Sequence, residues 1–496
     1  MERRQAQTQD ALVRLQAPVA PIKRLPPELL SEIFERCLDV ENPRILFSMT
    51  ARSKEAPLLL ARVCRSWRAI TYSTPRLWRD IFVNVCDGRY SDELRKDTLP
   101  VLQTWLAHSG SLPLNLVILC KAERVLPGLV DVFETIAAHA PRWKTVHVRL
   151  QNSPVMHRLV CRAFTGCTSL STLDVTDGGQ CVSFFGSRQA HGAENAQPVQ
   201  FDLSTAPLEQ LSLSLAGLTI REVHASWATL TRLSFMGDAR LSTSSIADYI
   251  SVLQGCISLK ECTIAIDSGA RDAPLQPLTL PSLEHLQLEV LREAAHTTQM
   301  GDFLSILDAP RLCSLVIEDY SPRREAVLYH APLKEFLHAH ARTLRQLRFS
   351  TSSRFFSSED MIALVSETPL LTELEYHPDE ESSPKEFLAA LTPRVQGDTV
   401  ECLLPRLDRL FVYWDTTETV SMVGNMIEKR YALIDRGITQ LKYLSCKPVK
   451  ISIVYDCMPP NVLVENLAAR LEPFCRSGWL QVDWEAYRYD LEFLYC

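Results

Sequence analysis

One short spacing of apolar residues recurs along most of this chain: an apolar residue, two others, an apolar, one other, an apolar. It occurs at Trp143/Val146/Val148, Leu170/Leu173/Val175, Leu208/Leu211/Leu213, Leu230/Leu233/Phe235 and Leu259/Cys262/Ile264. It returns at Leu283/Leu286/Leu288, Leu312/Leu315/Ile317, Leu344/Leu347/Phe349, Leu371/Leu374/Tyr376 and Leu407/Leu410/Val412. The first positions recur every 29 residues or so on average, and a period of that size marks a stacked-repeat architecture. Alternation within each unit is that of a strand with one apolar face. Between units, Ile246–Leu253, Phe303–Leu307, Ala326–His340 and Glu359–Val365 carry helical periodicity, the last behind the capping serines Ser357 and Ser358. A strand–helix unit of this length cannot bury its own apolar faces, so neighbours must stack into a solenoid.

If the three apolar positions of each unit face the core, the residues between and beside them line the opposite side. These include His147, Arg149, Asp174, Arg232, Glu261, His285, Glu289, Glu318, Arg348, Glu373, Glu375, Arg409, Phe411 and Tyr413. Four are basic and six acidic, which is not the stripe of positive charge that nucleic acid requires. Arg409, Phe411 and Tyr413 are the candidate binding residues, because Arg and aromatic side chains are enriched at interface hot spots. The competing expectation is that Tyr431–Leu441 covers them.

The N-terminal region is built differently. In Leu25-Pro26-Pro27-Glu28-Leu29-Leu30-Ser31-Glu32-Ile33-Phe34, the prolines suit a helix entry and Glu28 suits the positive end of its dipole. Leu29, Leu30, Ile33, Phe34, Cys37 and Leu38 form one broad apolar stripe. Val63-Cys64-Arg65-Ser66-Trp67 follows, then Pro75-Arg76-Leu77-Trp78. Ile81–Val85 and Leu114–Leu119 are expected strands, and Thr98–Ala107 an expected helix.

Taken in order, these N-terminal segments resemble an F-box, and the Pro-x-Leu-Trp turn resembles the fungal variety. The resemblance implies a small all-helical module that docks a substrate receptor onto the Skp adaptor and cullin scaffold of a ubiquitin ligase. It carries the adaptor contacts over to Leu25, Pro26, Leu29, Ile33, Val63 and Cys64, with Trp67 and Trp78 inside the module. Asp39–Glu55 is a longer insertion than a compact F-box needs. The repeats resemble the leucine-rich-repeat-like tail of fungal F-box proteins, without the usual Asn or Cys ladder. Gly178, Ala216, Asp238 and Asp267 stand at the first such positions, so an irregular arc with long loops at Asp177–Gln200 and Pro378–Lys385 is expected. The fold expected is α/β: a flexible tail over residues 1–21, an F-box over 22–82, and an irregular leucine-rich-repeat-like solenoid over 83–496. The function implied is substrate recognition for the ligase, the alternative being a ligase-independent interaction scaffold.

Composition agrees with a non-secreted, non-membrane protein. No apolar run approaches the length of a membrane span, and the first residues carry no signal-peptide core. Fifteen cysteines, without one Cys-x-x-Cys pair, point to buried reduced thiols in the cytoplasm or nucleus. Residues 22–82 hold 11 Lys/Arg against 7 Asp/Glu, while 83–496 carry a net charge of −12. That acidic body disfavours nucleic acid, and the basic module suits an acidic adaptor, as the resemblance implies. None of the common nucleophile, zinc-protease, phosphate-loop or dinucleotide motifs occurs, and 17 glycines leave little material for a nucleotide cradle. His338 and His340 are one residue apart, a poor spacing for a shared metal on a helix. No enzyme activity, metal or cofactor is expected.

Overall fold

The computed structural model describes residues 22, 25–38, 56–85, 99–120, 127–150, 164, 166–177, 201–214, 220–236, 245–267, 275–292, 299–319, 330–351, 356–376, 383–414, 417–448 and 460–483. The expected tail over 1–21, the insertion at 39–55 and almost all of the loops at 177–200 and 378–385 lie outside these residues. The chain divides into two compact units. One holds the described residues of Met1–Leu170 and Asp177–Arg188, the other those of Ser171–Thr176 and Gln189–Cys496.

The first unit begins with helices α1 (Pro27–Arg36), α2 (Leu58–Val63) and α3 (Arg65–Ser73), closed by a 3₁₀ turn at Pro75–Trp78. Of the expected apolar stripe on α1, only Leu30 and Phe34 are buried; Leu29, Ile33 and Cys37 are exposed. The six-residue stripe is thus divided between two faces. Phe34 packs on Trp67, ring centroids 4.8 Å apart. Trp67 is half-buried and Trp78 is fully enclosed. Strands β1 (Asp80–Val85), β2 (Leu114–Cys120) and β3 (Trp143–Leu150) then alternate with helices α4 (Leu99–His108) and α5 (Pro127–Ala137). Crossover helices make these strands parallel. Their register aligns Ile81, Leu116 and Val146 in one row and Val83, Ile118 and Val148 in the next, all six buried. Trp78 ties the helices to this part of the unit. Its Nε1 donates to the Thr71 carbonyl at 2.9 Å, and its ring meets Trp105 edge-on at 4.7 Å.

In the second unit the repeated spacing becomes a parallel sheet. Its strands are β4 (Thr172–Asp177), β5 (Gln210–Ser214), β6 (Arg232–Met236), β7 (Glu261–Asp267), β8 (His285–Arg292) and β9 (Ser314–Asp319). They continue as β10 (Gln346–Thr351), β11 (Glu373–Tyr376), β12 (Arg409–Trp414), β13 (Tyr443–Pro448) and β14 (Gln481–Asp483). Each pairs in parallel with the next. The middle apolar position of every unit falls in one continuous row: Leu173, Leu211, Leu233, Cys262, Leu286, Leu315, Leu347, Leu374, Leu410 and Leu444, ending at Val482.

A backbone clamp holds this period. Just before the strands from β4 to β12, one carbonyl accepts two amides of the following repeat. Thr231 O takes the N–H groups of Lys260 and Glu261, and Lys260 O takes those of Glu284 and His285. Arg345 O takes those of Thr372 and Glu373, and Thr372 O those of Asp408 and Arg409. A parallel sheet cannot satisfy the backbone at its strand entries by hairpin turns, and this stagger supplies the missing partners.

Helices α6 (Ile246–Leu253), α7 (Gln299–Ile306), α8 (His330–Ala339), α9 (Ser358–Val365), α10 (Lys385–Leu391), α11 (Thr417–Ala432) and α12 (Pro460–Arg476) fill the intervals. From α7 onward each packs on its successor. Ser357 caps α9 in a reciprocal box with Asp360, and Ser245 does the same for α6 with Asp248. Shorter intervals carry 3₁₀ turns instead, at Ile220–Glu222 and Trp227–Thr229. Leu374 is fully buried in mid-row between Leu347 and Leu410. Leu374→Ala is expected to cost about 2–5 kcal/mol, read as a lower urea midpoint of the second unit. An unchanged midpoint would mean that the row does not carry the core.

Candidate docking surfaces

Eleven large apolar residues are exposed among the described residues, and six of them lie between residues 22 and 72: Ile22, Leu29, Ile33, Leu59, Val63 and Tyr72. Soluble proteins scatter single exposed apolar residues widely, so their concentration in so short a stretch marks a surface meant to be covered. Local structure explains it. On α1, Leu29 and Ile33 are one turn apart and exposed, while Leu30 and Phe34 turn inward. On α2, Leu59 and Val63 repeat the arrangement around the buried Leu60 and Ala61. Leu25 is half-buried and Pro26, which precedes the first helical residue, is exposed.

Between α2 and α3 the chain opens to extended backbone at Cys64, with φ −157° and ψ 172°. The Cys64 Sγ accepts the Trp67 amide at 3.4 Å and so caps α3. Cys64 is exposed, not buried as the composition suggested, because this cap places it at the open end of the helix. Cys167, Cys256 and Cys262 are buried, and burial pushes all three thiols up, those of Cys167 and Cys256 to about 12. Arg68 Nε donates to the Ala61 carbonyl at 2.8 Å and binds α3 to α2. Residues 56–79 hold Arg62, Arg65, Arg68, Arg76 and Arg79 and no acidic residue, so the α2 pair is flanked by positive charge, whereas the α1 pair lies among Glu28, Glu32 and Glu35, the last 3.6 Å from Arg76.

In the second unit, the sheet face opposite the apolar row carries ion pairs. Arg232 meets Glu261 through two nitrogens, at 2.5 and 2.7 Å. Further along, the Glu373 carboxylate is enclosed between two arginines. Arg348 approaches it through Nε at 2.7 Å and Nη2 at 2.6 Å, and Arg409 through Nε at 3.0 Å. Each guanidinium covers an aromatic ring, Arg348 over Phe411 at 4.8 Å and Arg409 over Tyr443 at 4.7 Å. Arg409 and Phe411 therefore stand two residues apart on one strand, β12, between β11 and β13, whereas the side chain of Tyr413 lies outside the described residues. Tyr431 does not cover them: its hydroxyl donates to the carbonyls of Leu441 and Trp479, and the Arg409 side chain is 46% exposed.

Sequence reasoning missed Leu59 and Tyr443. Leu59 lies one turn before Val63, which was the signal available for it. Tyr443 belongs to a further unit, Leu441/Leu444/Cys446, that keeps the same spacing.

The same face holds an acid pushed upward by burial. Glu289 on β8 is opposite Glu318 on β9 and is 8% exposed. Burial, then the neighbouring Glu318 charge, push its carboxyl up to about 7. A raised carboxyl favours the protonated folded state, so the associated stability is full below the ordinary glutamate range and is lost as pH rises to about 7. Glu289→Gln is expected to leave stability at pH 4 nearly unchanged and to raise it by about 3 kcal/mol at pH 8. Urea melts at both values check this, and an equal effect at the two pH values would contradict it.

Among the described residues, no three His, Cys, Asp or Glu side chains converge as metal ligands would. His338 and His340 point apart: His338 meets Glu367 at 2.8 Å, while His340 Nδ1 lies 2.8 Å from the Phe336 carbonyl. No helix among the described residues is long and apolar enough to cross a membrane.

With this geometry in hand, comparison with known families finds that residues 22–84 match the F-box-like domain model. No curated protein matches the chain. At the family level, the F-box-like match implies binding of a Skp-type adaptor and substrate recognition for an SCF-type ubiquitin ligase, a role that is typically non-catalytic.

Proposed function

We propose that this chain is the substrate-recognition subunit of an SCF-type cullin-RING ubiquitin ligase. The observation that carries the reading is the coincidence of the F-box-like match at 22–84 with exposed apolar pairs on α1 and α2. Leu29, Ile33 and Val63, with Leu25, Pro26 and Cys64, contact the Skp adaptor, and Leu59 joins them. The arginines of residues 56–79 meet acidic groups on the adaptor, and the adaptor connects the chain to the cullin.

Residues 83–496 form an irregular leucine-rich-repeat-like solenoid, and its outward sheet face around Arg409, Phe411 and Tyr413 receives the target protein. This division assigns residues 22–82 to docking and the repeats after them to recognition. The chain itself makes and breaks no bond; it raises the effective concentration of target lysines beside the ubiquitin-carrying partner. It acts in the cytoplasm or nucleus, where its thiols stay reduced.

Affinity purification of the full chain from cells with the proteasome blocked, followed by mass spectrometry, tests this. The Skp adaptor, a cullin and at least one ubiquitylated target are expected together. Recovery of other partners without adaptor or cullin would replace the reading with that of a ligase-independent scaffold.

A further inference from the structure

We propose that Arg348 and Arg409 form a preorganised fork for a carboxylate of the target protein, seated beside the rings of Phe411 and Tyr443. This rests on the reading of the second unit as the target-binding part, and it names the chemistry that part selects. The organising residue is Glu373. Its side chain is only 6% exposed, so a partner reaches little of it, yet it engages both guanidiniums at 2.6–3.0 Å. Gln346 Nε2 adds a fourth approach at 3.4 Å.

The aromatic rings fix the other side of the fork. Phe411 and Tyr443 are 5.1 Å apart, each beneath one guanidinium, and the Tyr443 hydroxyl donates to Asp483 Oδ2 at 3.3 Å. Both arginines are thus held at orientation and tilt while their side chains stay 37% and 46% exposed. Immobilising Arg before a ligand arrives removes much of the entropy cost that such long side chains otherwise impose on binding. The Nη1 group of Arg348 and both terminal nitrogens of Arg409 are not needed to hold Glu373. They are donors only, in a planar arrangement that matches a carboxylate.

Charge decides between anions. Glu373 offsets one arginine, and Glu375 lies 3.9 Å from Arg348 Nε, so these four side chains sum to zero. Asp483 adds a further negative group at the Tyr443 end. With no excess positive charge an anion is held here by donor geometry alone, and the nearby carboxylates repel a doubly charged phosphate more than a singly charged carboxylate. A singly charged carboxylate needs only one free fork, and its aliphatic neighbours find ring edges. The target segment is therefore acidic and apolar by turns.

The test uses the full-length chain and four fluorescein-labelled, C-terminally amidated peptides of the pattern Gly-Leu-Xaa-Leu-Xaa-Leu-Gly. Xaa is Glu, Gln, phosphoserine or Lys. The Glu peptide is expected to bind about tenfold more tightly than the Gln peptide and no more weakly than the phosphoserine peptide. Arg409→Lys keeps the charge but loses the planar fork, and is expected to weaken the Glu peptide about tenfold. Glu373→Gln separates positioning from charge. It adds one net positive charge, so attraction by charge alone would tighten the Glu peptide, whereas loss of the held fork weakens it. Equal binding of Glu and Gln peptides, tighter binding of phosphoserine, no peptide binding, or a tighter Glu373→Gln variant each overturn the proposal. Adaptor capture is measured on the same samples. If capture holds and the peptides fail, only this site is lost; if the Glu peptide binds and capture fails, the site stands and the ligase reading falls.

Discussion

Leu29→Asp combined with Val63→Asp is expected to abolish capture of the Skp adaptor while leaving the chain folded. Leu29 is 46% exposed and Val63 56% exposed, so neither substitution opens a cavity or buries a charge in the free protein. Surface changes of this kind typically alter stability by no more than about 0.5 kcal/mol. In the complex the account is different. Burying each side chain against an adaptor contributes about 1.5–3 kcal/mol, and an aspartate there forfeits that gain and adds the cost of desolvating a charge. Losing even the apolar term at both positions weakens binding by a factor of about 10² to 10⁴. The control is built into the same helix: Leu30, one residue away, is 4% exposed, and Leu30→Asp is expected to unfold the module. A Leu29/Val63 variant that captures adaptor as well as the parent would sink the docking assignment, because its fold would be intact.

The second large effect comes from a residue buried inside the first unit. Trp78 is 1% exposed; it stacks on Tyr72 at 5.3 Å, meets Trp105 edge-on and donates its indole N–H to Thr71. Trp78→Ala removes all of these at once, and truncation of a buried aromatic costs about 3–5 kcal/mol. Adaptor capture is expected to fail together with a cooperative loss of stability in urea, unlike the Leu29/Val63 variant. Trp78→Phe keeps most of the ring packing but removes the indole donor, leaving the Thr71 carbonyl only the Thr74 amide at 3.4 Å, a smaller loss of about 1 kcal/mol. If Trp78→Ala melts with the parent's midpoint, the helices do not depend on α4, and the coupling within the first unit is wrong.

The repeated strands were legible because an alternating apolar pattern is a direct projection of a half-buried strand. Leu173, Leu347 and Leu410 fall where that pattern puts them. Helix bounds were legible to within a few residues where a cap announced them, as at Ser357; of the expected Ala326–His340 helix, His330–Ala339 is seen and 326–329 lie outside the described residues. The missed unit at Leu441/Leu444/Cys446 begins 34 residues after Leu407, within the range of the intervals between the other units, so the sequence carried its signal across the sixteen-residue α11. The division of the α1 stripe was not legible. Six apolar residues at helical spacing read as one buried face, and only packing against Trp67 decides that Phe34 and Leu30 turn inward while Leu29 and Ile33 do not. The Glu373 assembly was half visible. Alternation placed Arg348, Glu373, Arg409 and Phe411 on one side, but strand adjacency, which joins residues 25 to 36 positions apart, is what makes them a single structure.

The most direct measurement mixes the purified full-length chain with recombinant Skp adaptor and cullin and follows them by gel filtration. The account requires all three to co-elute in equal amounts, with the chain leaving that peak when it carries Leu29→Asp and Val63→Asp. Elution of the folded parent chain apart from the adaptor and cullin would contradict it.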